Sequence, residues 1–183
     1  MTDQNNFTWI TEIHLTKYDP NWPTQFEAEA EILNGLLGDT ALAIYHIGST
    51  AVPGLDAKPV VDLMVEVTDL ETVQSMTNEF NKAGYEVLGE SGIRGRHFIT
   101  RNSGGERTHD IHLFQTGHTE IEQMILFRDR MRENPSEATV YSDLKNELAK
   151  QHRQDPIRYT QGKTEFILNS VKAQKEKFNG ATN

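Results

Sequence analysis

Residues 44–65 read IYHIGSTAVPGLDAKPVVDLMV, and this segment contains the main indications of fold and function. An apolar run ends abruptly at Gly48, and a loop that contains two prolines and a second glycine follows it. A β-branched run that carries a single acid, Asp62, closes the segment. This pattern predicts a strand, a tight turn, a structured loop and a second strand.

The turn after the first predicted strand has the composition of an anion-binding site. Gly48 permits close approach of the backbone to a ligand, and Ser49 and Thr50 add hydroxyl groups beside backbone N–H groups. Lys58 adds a positive charge in the same loop. We therefore predict that these four residues bind phosphate, and that His46 lines the same pocket or supports the turn.

Asp62 is unusual because it interrupts an otherwise apolar strand. A carboxylate in such a place binds a cation or needs hydrogen-bonding partners, since burying it unpaired is costly. Asp62 is therefore predicted to bind a metal ion or ligand, or else to serve as a structural polar group.

The chain resembles the GrpB (UPF0157) family through the motif Gly-Ser-Thr-Ala-Val-Pro-Gly-Leu-x-Ala-Lys-Pro-x-x-Asp at residues 48–62. Family members resemble the nucleotidyltransferase superfamily in fold, in which a Gly-Ser turn precedes a strand with metal-binding carboxylates. The resemblance implies this fold here. Further matching motifs, found between residues 10 and 172, are Tyr18-Asp19-Pro20-x-Trp22, Thr108-His109-x-x-His112, Phe127-Arg128-Asp129-x-x-Arg132, Tyr141-x-x-Leu144-Lys145 and Tyr159-x-x-x-Lys163-Thr164.

The resemblance also implies a magnesium site. Nucleotidyltransferases typically place carboxylates at positions i and i+2 of one strand, and Met64 occupies the second of these positions. Glu66 points to the same side but lies about 13 Å further along the strand. Asp110 and His112 belong to another predicted strand. We expect Asp62 and Asp110 to be catalytic and, together with His112, to bind Mg²⁺.

Basic side chains supply the charge that phosphate binding needs. Arg96, with Arg128 and Lys163 from later helices, completes the predicted phosphate-binding set, although a lysine such as Lys163 is equally typical of an ordinary surface. Lys145 is a further basic residue of the same helical part. Four arginines in all lie between residues 92 and 108, where they either cover a phosphate or remain solvated: Arg94, Arg96, Arg101 and Arg107.

Composition excludes several classes of protein. The 183 residues carry a formal charge of −9, which argues against a general nucleic-acid binder. There is no cysteine, so disulfides and thiolate zinc sites are excluded. No apolar run has the length of a membrane span, and Met1–Phe7 lacks the pattern of a signal peptide. We predict a cytoplasmic protein without a nucleic-acid or membrane partner.

Periodicity and the resemblance predict one domain over residues 1–183, of α/β (α+β) class. A nucleotidyltransferase-like mixed β-sheet flanked by helices occupies 9–115, and a C-terminal helical extension at 119–178 packs on it. After a frayed tail at 1–8, the predicted strands are 10–17, 42–47, 60–67, 85–88, 96–101 and 107–114. The predicted helices run from Asp19-Pro20 to Gly38, from Asp69 to Gly84, from a capping box of Thr119 and Glu122, from Asn134-Pro135 and from Asp155-Pro156.

Together these features favour binding of a phosphate-bearing small molecule, such as a nucleoside triphosphate (NTP) with Mg²⁺, and nucleotidyl transfer to a small acceptor. Two alternatives stay open. One is a non-catalytic ligand-binding or regulatory module, in which Met64 marks the loss of the metal pair. The other is a metal-dependent phosphohydrolase built on His97, His109 and His112. The acceptor and the oligomeric state are not indicated by the sequence.

Overall fold

The structure is a computed structural model that describes residues 12–180, so the tail predicted at 1–8 lies outside the described residues. No helix within the described range is both long and apolar enough to cross a membrane. The helices of this range are α1 (Trp22–Leu37), α2 (Leu70–Ser75), α3 (Thr77–Lys82), α4 (Thr119–Glu133), α5 (Pro135–Gln151), α6 (Pro156–Gly162) and α7 (Thr164–Gly180). The strands are β1 (Ala41–Ile47), β2 (Val61–Val67), β3 (Tyr85–Gly89), β4 (Arg96–Ser103) and β5 (Glu106–Gln115).

The strands form one mixed sheet in the order β1-β2-β5-β4-β3, which confirms the predicted fold class. β2 and β5 run parallel, whereas the other neighbouring pairs are antiparallel. A parallel pair needs a crossover connection, and α2, α3, β3 and β4 lie between these two strands in the chain. The register places Asp62 beside Asp110 and Met64 beside His112.

Each face of the sheet is covered by a different group of helices. On one face, Leu63 and Ile111 pack with apolar residues of α1, α2 and α3. On the opposite face, Met64 and Phe114 pack with α4, which in turn shares a core with α5 and α7. Successive side chains of a strand point to opposite faces, so Asp62 shares its face with Met64. The predicted site residue therefore faces the C-terminal helices.

Residues 44–65 fold as predicted. β1 ends at Ile47, a short 3₁₀ turn covers Ser49–Ala51, and β2 begins at Val61 after the loop. The predicted cap of α2 is also confirmed, because the Asp69 carboxylate accepts hydrogen bonds from two backbone N–H groups of the first turn.

The strand predicted at residues 10–17 is wrong where the structure describes it, from residue 12 onward. This segment makes a single β-bridge, between Thr16 and Ala57. Ile13 is 3% exposed and packs with Leu148. The apolar side of the segment is therefore buried against α5 rather than within the sheet. The first two residues of the predicted strand lie outside the described range.

The predicted start of α1 is wrong by two residues. Asp19 Oδ1 accepts a hydrogen bond from the Asn21 N–H at 2.8 Å, and this contact closes a turn before the helix. α1 therefore begins at Trp22, and the proline of its first turn is Pro23 rather than Pro20.

The predicted capping box of α4 is also wrong. His118 is the capping residue, and its Nδ1 atom accepts a hydrogen bond from the Glu120 N–H at 3.2 Å. Thr119 is consequently the first helical residue, so it cannot act as the cap that the pairing with Glu122 requires.

Two helices that were predicted as continuous are divided. The helix after Asp69 is interrupted at Met76, which separates α2 from α3. The last helix is interrupted after Gly162, which separates α6 from α7. Gly162 packs closely on α5, since an added Cβ atom would lie 2.4 Å from Leu148 Cδ2.

Candidate functional site

A cavity of about 520 Å³ opens on the sheet face that carries Asp62. This volume is within the usual range of small-molecule sites. Its walls come from the loop after β1, from β2, β4 and β5, and from α4, α5 and α6. Eight of the residues predicted to form a site line it together: Gly48, Ser49, Lys58, Asp62, Arg96, Asp110, His112 and Lys163.

Two carboxylates lie side by side at the base of this cavity. Asp62 and Asp110 are register partners on parallel neighbouring strands, and Asp110 is 8% exposed. Burial and the charge of Asp62 raise the pKa of Asp110, while Arg107, Lys58 and His112 oppose this effect. Arg107 Nη1 lies 3.3 Å from Asp110 Oδ1. An acidic pair in this arrangement favours a shared proton or a bound cation.

Gly48 passes directly over the carboxylate of Asp62. Its φ angle is +68°, and an added Cβ atom would lie 2.5 Å from Asp62 Oδ2. Only glycine permits this close approach, so the end of β1 and the acid of β2 are held against each other.

Met64 fills the position in which a second carboxylate of the same strand was expected, and it is completely buried. Its neighbour on β5 is His112, whose Nε2 atom lies 4.0 Å from Asp62 Oδ1. Across residues 12–180, no three His, Asp or Glu side chains are grouped so that they alone could hold a metal ion. The predicted ligands Asp62, Asp110 and His112 therefore do not form a complete metal site by themselves.

Lys145 of α5 reaches the cavity, although it was outside the predicted set of site residues. It is 2% exposed, and its Nζ atom lies 2.8 Å from Ser49 Oγ and contacts the backbone oxygen of Asp56. Burial, reinforced by the charge of Lys163, lowers the pKa of Lys145 to about 7.

Lys163 lies at the end of α6, on the same side of the cavity. Its Nζ atom is 4.5 Å from the centre of the Tyr159 ring. Burial lowers the pKa of Lys163 to about 8, and the charge of Lys58 acts in the same direction. Lys58, Lys145 and Lys163 therefore repel one another within the cavity, and a bound anion would reduce this repulsion.

A sequence signal for Lys145 was present in the motif Tyr141-x-x-Leu144-Lys145. Tyr141 and Lys145 are separated by one helical turn and therefore share a face of α5. Both line the cavity, and Lys145 Nζ donates a hydrogen bond to Ser49 Oγ. From the sequence, helical periodicity shows only that Tyr141 and Lys145 share one side of a helix. The packing of α5 in the structure shows that this side lines the cavity.

His46 and Thr50 lie behind the turn rather than in this cavity. His46 Nε2 is 2.9 Å from Thr50 Oγ1, and its ring stacks on Phe26 with the ring centres 4.8 Å apart. Burial lowers the pKa of His46 to about 4, so the imidazole is neutral at physiological pH. His46 instead lines a separate cleft of about 970 Å³. The geometry gives both residues a supporting role.

Arg128 also lies outside the cavity. Its Nη1 atom donates to the backbone oxygen of His46 at 3.2 Å, and its Nη2 atom pairs with Asp129 at 2.7 Å. Arg132, one turn further along α4, donates to the backbone oxygen of Ala51 at 2.8 Å. Both arginines therefore hold α4 against the end of β1 and the turn that follows it.

The arginines between residues 92 and 108 have different surroundings. Arg96 lines the cavity, but its Nε atom donates to the backbone oxygen of Glu90 at 3.0 Å, and Nη1 lies 3.1 Å from His112 Nδ1. Arg101 points to the opposite sheet face, where it pairs with Glu29 at 2.9 Å. Arg107 lines the cavity together with Arg96, whereas Arg101 does not, so the four arginines do not act as one group.

The three histidines of the phosphohydrolase alternative are divided between the two faces of the sheet. His112 faces the cavity. His109 precedes it by three residues on β5 and points to the other face, and His97 packs near Phe80 of α3 on that face. The histidines consequently cannot act on one metal ion, which removes the basis of this alternative.

The fold is that of the nucleotidyltransferase class. The structure matches a mutant of the Cid1 poly(U) polymerase bound to MgATP with a TM-score of 0.53, over 74% of this chain and 45% of that one, at 14% sequence identity. At this identity the likeness concerns the fold alone. It confirms the expected nucleotidyltransferase-like architecture.

Sequence comparison identifies the family. The GrpB protein family model matches residues 12–173, and the chain belongs to this family. The crystal structure of the conserved protein GrpB from Enterococcus faecalis matches with a TM-score of 0.84 and 40% identity, over 90% of this chain and 99% of that one. The UPF0157 protein YqkA of Bacillus subtilis is 36% identical over 172 residues, or 94% of this chain. This chain spans half the length of that relative.

Proposed function

We propose that the cavity binds a nucleoside triphosphate with Mg²⁺ and that the protein transfers a nucleotidyl group to a small acceptor. The adjacency of Asp62 and Asp110, in a cavity that also contains three lysines, carries this proposal. Nucleotidyl transfer requires phosphates that are positioned and neutralised, and carboxylates that hold the ion. The cavity combines both sets of groups within reach of one small ligand.

Asp62 and Asp110 would hold the magnesium ion. Asp110 Oδ1 is buried and accepts no hydrogen bond within the described part of the chain, although Arg107 Nη1 lies 3.3 Å from it, so a bound ion would compete with this ion pair. Magnesium retains several waters and takes further ligands from substrate phosphates, which suits a site with two carboxylates. When bound, the ion would neutralise phosphate charge and polarise the reacting phosphorus. The similarity in fold to a Cid1 mutant bound to MgATP supports a magnesium nucleotide as the ligand.

Lys58, Lys163 and Ser49 would position the phosphates. Each lines the cavity beside the carboxylate pair. The lowered pKa of Lys163 reflects a charge that lacks full compensation, and a phosphate group would supply it. Positioning and neutralisation by such groups account for most of the catalysis that this class of reaction needs.

A non-catalytic nucleotide-binding module is the second candidate. The buried Met64 favours it, because a thioether replaces the carboxylate expected two residues after Asp62. Both candidates predict nucleotide binding, but only the transferase consumes the nucleotide. Release of pyrophosphate on addition of candidate acceptors therefore separates them.

Thermal unfolding with each of the four ribonucleoside triphosphates tests the proposal. Mg²⁺ alone should stabilise the protein little, whereas NTP with Mg²⁺ should raise the Tm clearly. At a ligand concentration one hundred times Kd, the expected stabilisation is about 2.7 kcal/mol. Asp62→Asn preserves the shape of the side chain but removes its charge, so it should abolish the Mg²⁺-dependent part of the shift.

Asp143→Asn is the matched control, because Asp143 is an exposed acid of α5 outside this cavity. It should respond to NTP and Mg²⁺ as the wild type does. Equal stabilisation by NTP in the presence of a chelator, or a normal response of Asp62→Asn, would contradict the transferase.

A further inference from the structure

Arg107 lies in the cavity beside Asp110, although simple strand alternation places these two residues on opposite faces of the sheet, since they are three positions apart. The pairing of β5 with β4 shifts by one residue between Arg107 and His109, so Thr108 is an extra residue, a β-bulge. The Thr108 hydroxyl holds this bulge by donating to the backbone oxygen of Arg101 at 3.1 Å. A bulge redirects side chains, and this one turns Arg107 towards the two carboxylates.

The ion pair between Arg107 and Asp110 leaves polar atoms of both side chains without hydrogen bonds. Arg107 Nη1 lies 3.3 Å from Asp110 Oδ1, and the Arg107 side chain is 13% exposed. Among residues 12–180, neither Arg107 Nε nor Asp110 Oδ1 has a hydrogen-bond partner, although both atoms are buried. A buried donor without a partner is unfavourable. Arg107 therefore has a donor that a ligand in the cavity can use.

Arg96, the other arginine that lines the cavity, is already fully engaged. Its Nε and Nη2 atoms donate to the backbone oxygens of Glu90 and Ser91, and its Nη1 atom lies 3.1 Å from His112 Nδ1. Recruiting Arg96 to a ligand would break these contacts. Arg107 is consequently the arginine of the cavity that is better placed to bind an anion.

Arg107 also competes with a metal ion for Asp110. An ion held by Asp62 and Asp110 would displace the guanidinium from its carboxylate. Mg²⁺ on its own would then leave Arg107 as a buried charge without its partner, which is strongly unfavourable. A nucleotide that binds together with the ion supplies phosphate oxygens, which arginine can bind through two parallel hydrogen bonds.

We propose that Arg107 is a phosphate-binding residue that exchanges partners: it pairs with Asp110 in the free protein and with phosphate oxygens of the nucleotide when Mg²⁺ occupies Asp110. This inference rests on the proposed function, because nucleotide and ion must share this cavity. Only ion pairs and hydrogen bonds change in the exchange. Each ligand removes the cost that the other would meet, so Mg²⁺ and nucleotide favour each other's binding.

Calorimetric titration of Arg107→Met and the wild type tests the exchange, first with MgCl₂ alone and then with each of the four ribonucleoside triphosphates in excess Mg²⁺. Arg107→Met should bind Mg²⁺ alone more tightly, because Asp110 no longer has a competing partner. It should bind nucleotide with Mg²⁺ more weakly. Each change should be on the order of tenfold, a usual size for coupling between two sites. A residue with a merely structural role would weaken both.

Two further variants complete the experiment. Arg107→Lys keeps the positive charge but lacks the guanidinium fork, so it should restore the weak binding of Mg²⁺ alone and only part of the nucleotide affinity. Arg94→Met is the control, because Arg94 is an exposed arginine outside the cavity. Both of its affinities should equal those of the wild type.

Any other combination of changes in Arg107→Met overturns the partner exchange, and the proposed function stands if the wild type binds a nucleotide with Mg²⁺. If the wild type binds none of the four, the proposed function fails together with the inference. Should Arg107→Met fail to fold, a crystal structure of the wild type with Mg²⁺ and a non-hydrolysable analogue of the bound nucleotide decides. Arg107 should contact a phosphate oxygen there, and an Arg107 still paired with Asp110 would overturn the inference.

Discussion

At Gly48 the backbone adopts φ 68° and ψ −167°, a combination that is essentially restricted to glycine. The carboxylate of Asp62 occupies the space that a Cβ atom would need. Any substitution at this position is therefore destabilising for two separate reasons: the strained backbone conformation and the steric overlap of the new Cβ atom with Asp62. Gly54 also has a positive φ, of 80°, but no atom lies within 4 Å of its potential Cβ position.

Gly48→Ala should therefore destabilise the protein more than Gly54→Ala. Each variant carries backbone strain of about 1–3 kcal/mol, and only Gly48→Ala adds the overlap with Asp62. Urea unfolding of both variants measures the difference in the free energy of unfolding. Equal losses would show that the contact with Asp62 adds nothing beyond backbone strain.

The need for a glycine at this position was predictable from the sequence, but its reason was not. The motif indicated close approach of the backbone to a phosphate. The contact with Asp62 depends on the pairing of β1 with β2, which places Ile47 opposite Asp62. Register of this kind is fixed by the packing of whole strands, so a local pattern does not reveal it.

Among the elements, α1 is fastened to the sheet by a buried polar cluster on the face opposite the cavity. Glu29 is 3% exposed and accepts hydrogen bonds from the Tyr85 hydroxyl at 2.5 Å and from Arg101 Nε at 2.9 Å. The Arg101 guanidinium lies over the Tyr85 ring, 4.3 Å from its centre. One acid of α1 thus binds both β3 and β4.

Glu29→Ala should lower the free energy of unfolding by about 2–3 kcal/mol, because Arg101 loses its partner while remaining largely buried. Tyr85→Phe removes only one hydrogen bond and should cost about 1 kcal/mol. Chemical denaturation of the two variants provides the comparison. A Glu29→Ala variant as stable as the wild type would show that the cluster does not stabilise the attachment of α1.

Alternation along β5 predicts that Asp110 and His112 share one face, and the family resemblance predicts that they join Asp62 there; the register confirms that Asp62 and Asp110 are adjacent. The same alternation separates His97 and His109 from His112. The contribution of α5 was harder to predict, because the position of Lys145 depends on how helices pack across a sheet. That packing is set by side-chain shapes distant in the chain.

The molecule as a whole is negatively charged, whereas its cavity contains positively charged side chains. The chain has a net charge of −9, yet Lys145 and Lys163 are enclosed together, with pKa values lowered to about 7 and about 8. In the unfolded chain both have the ordinary lysine value of 10.5. At pH values between the folded and the unfolded pKa of each lysine, the unfolded state binds more protons than the folded state. The free energy of unfolding therefore rises with pH in this range.

The free energy of unfolding should therefore increase from pH 7 to pH 9, by up to about 1.4 kcal/mol per pH unit for each titrating lysine. Lys145→Met should reduce this slope. Lys172→Met, at a side chain that is 76% exposed, should leave it unchanged. Urea titrations at several pH values measure the slopes, and the same slope in wild type and Lys145→Met would contradict the assignment.

The parallel pairing of β2 with β5 also determines when the site can exist during folding. Hairpins such as β3 and β4 form between neighbours in sequence, whereas Asp62 and Asp110 meet only after the entire intervening crossover has closed. Contacts of such long sequence separation carry a large loop-closure entropy and are slow to form. The two carboxylates consequently repel each other only in a nearly native chain, so nascent or partly folded molecules do not bear the electrostatic cost of the site.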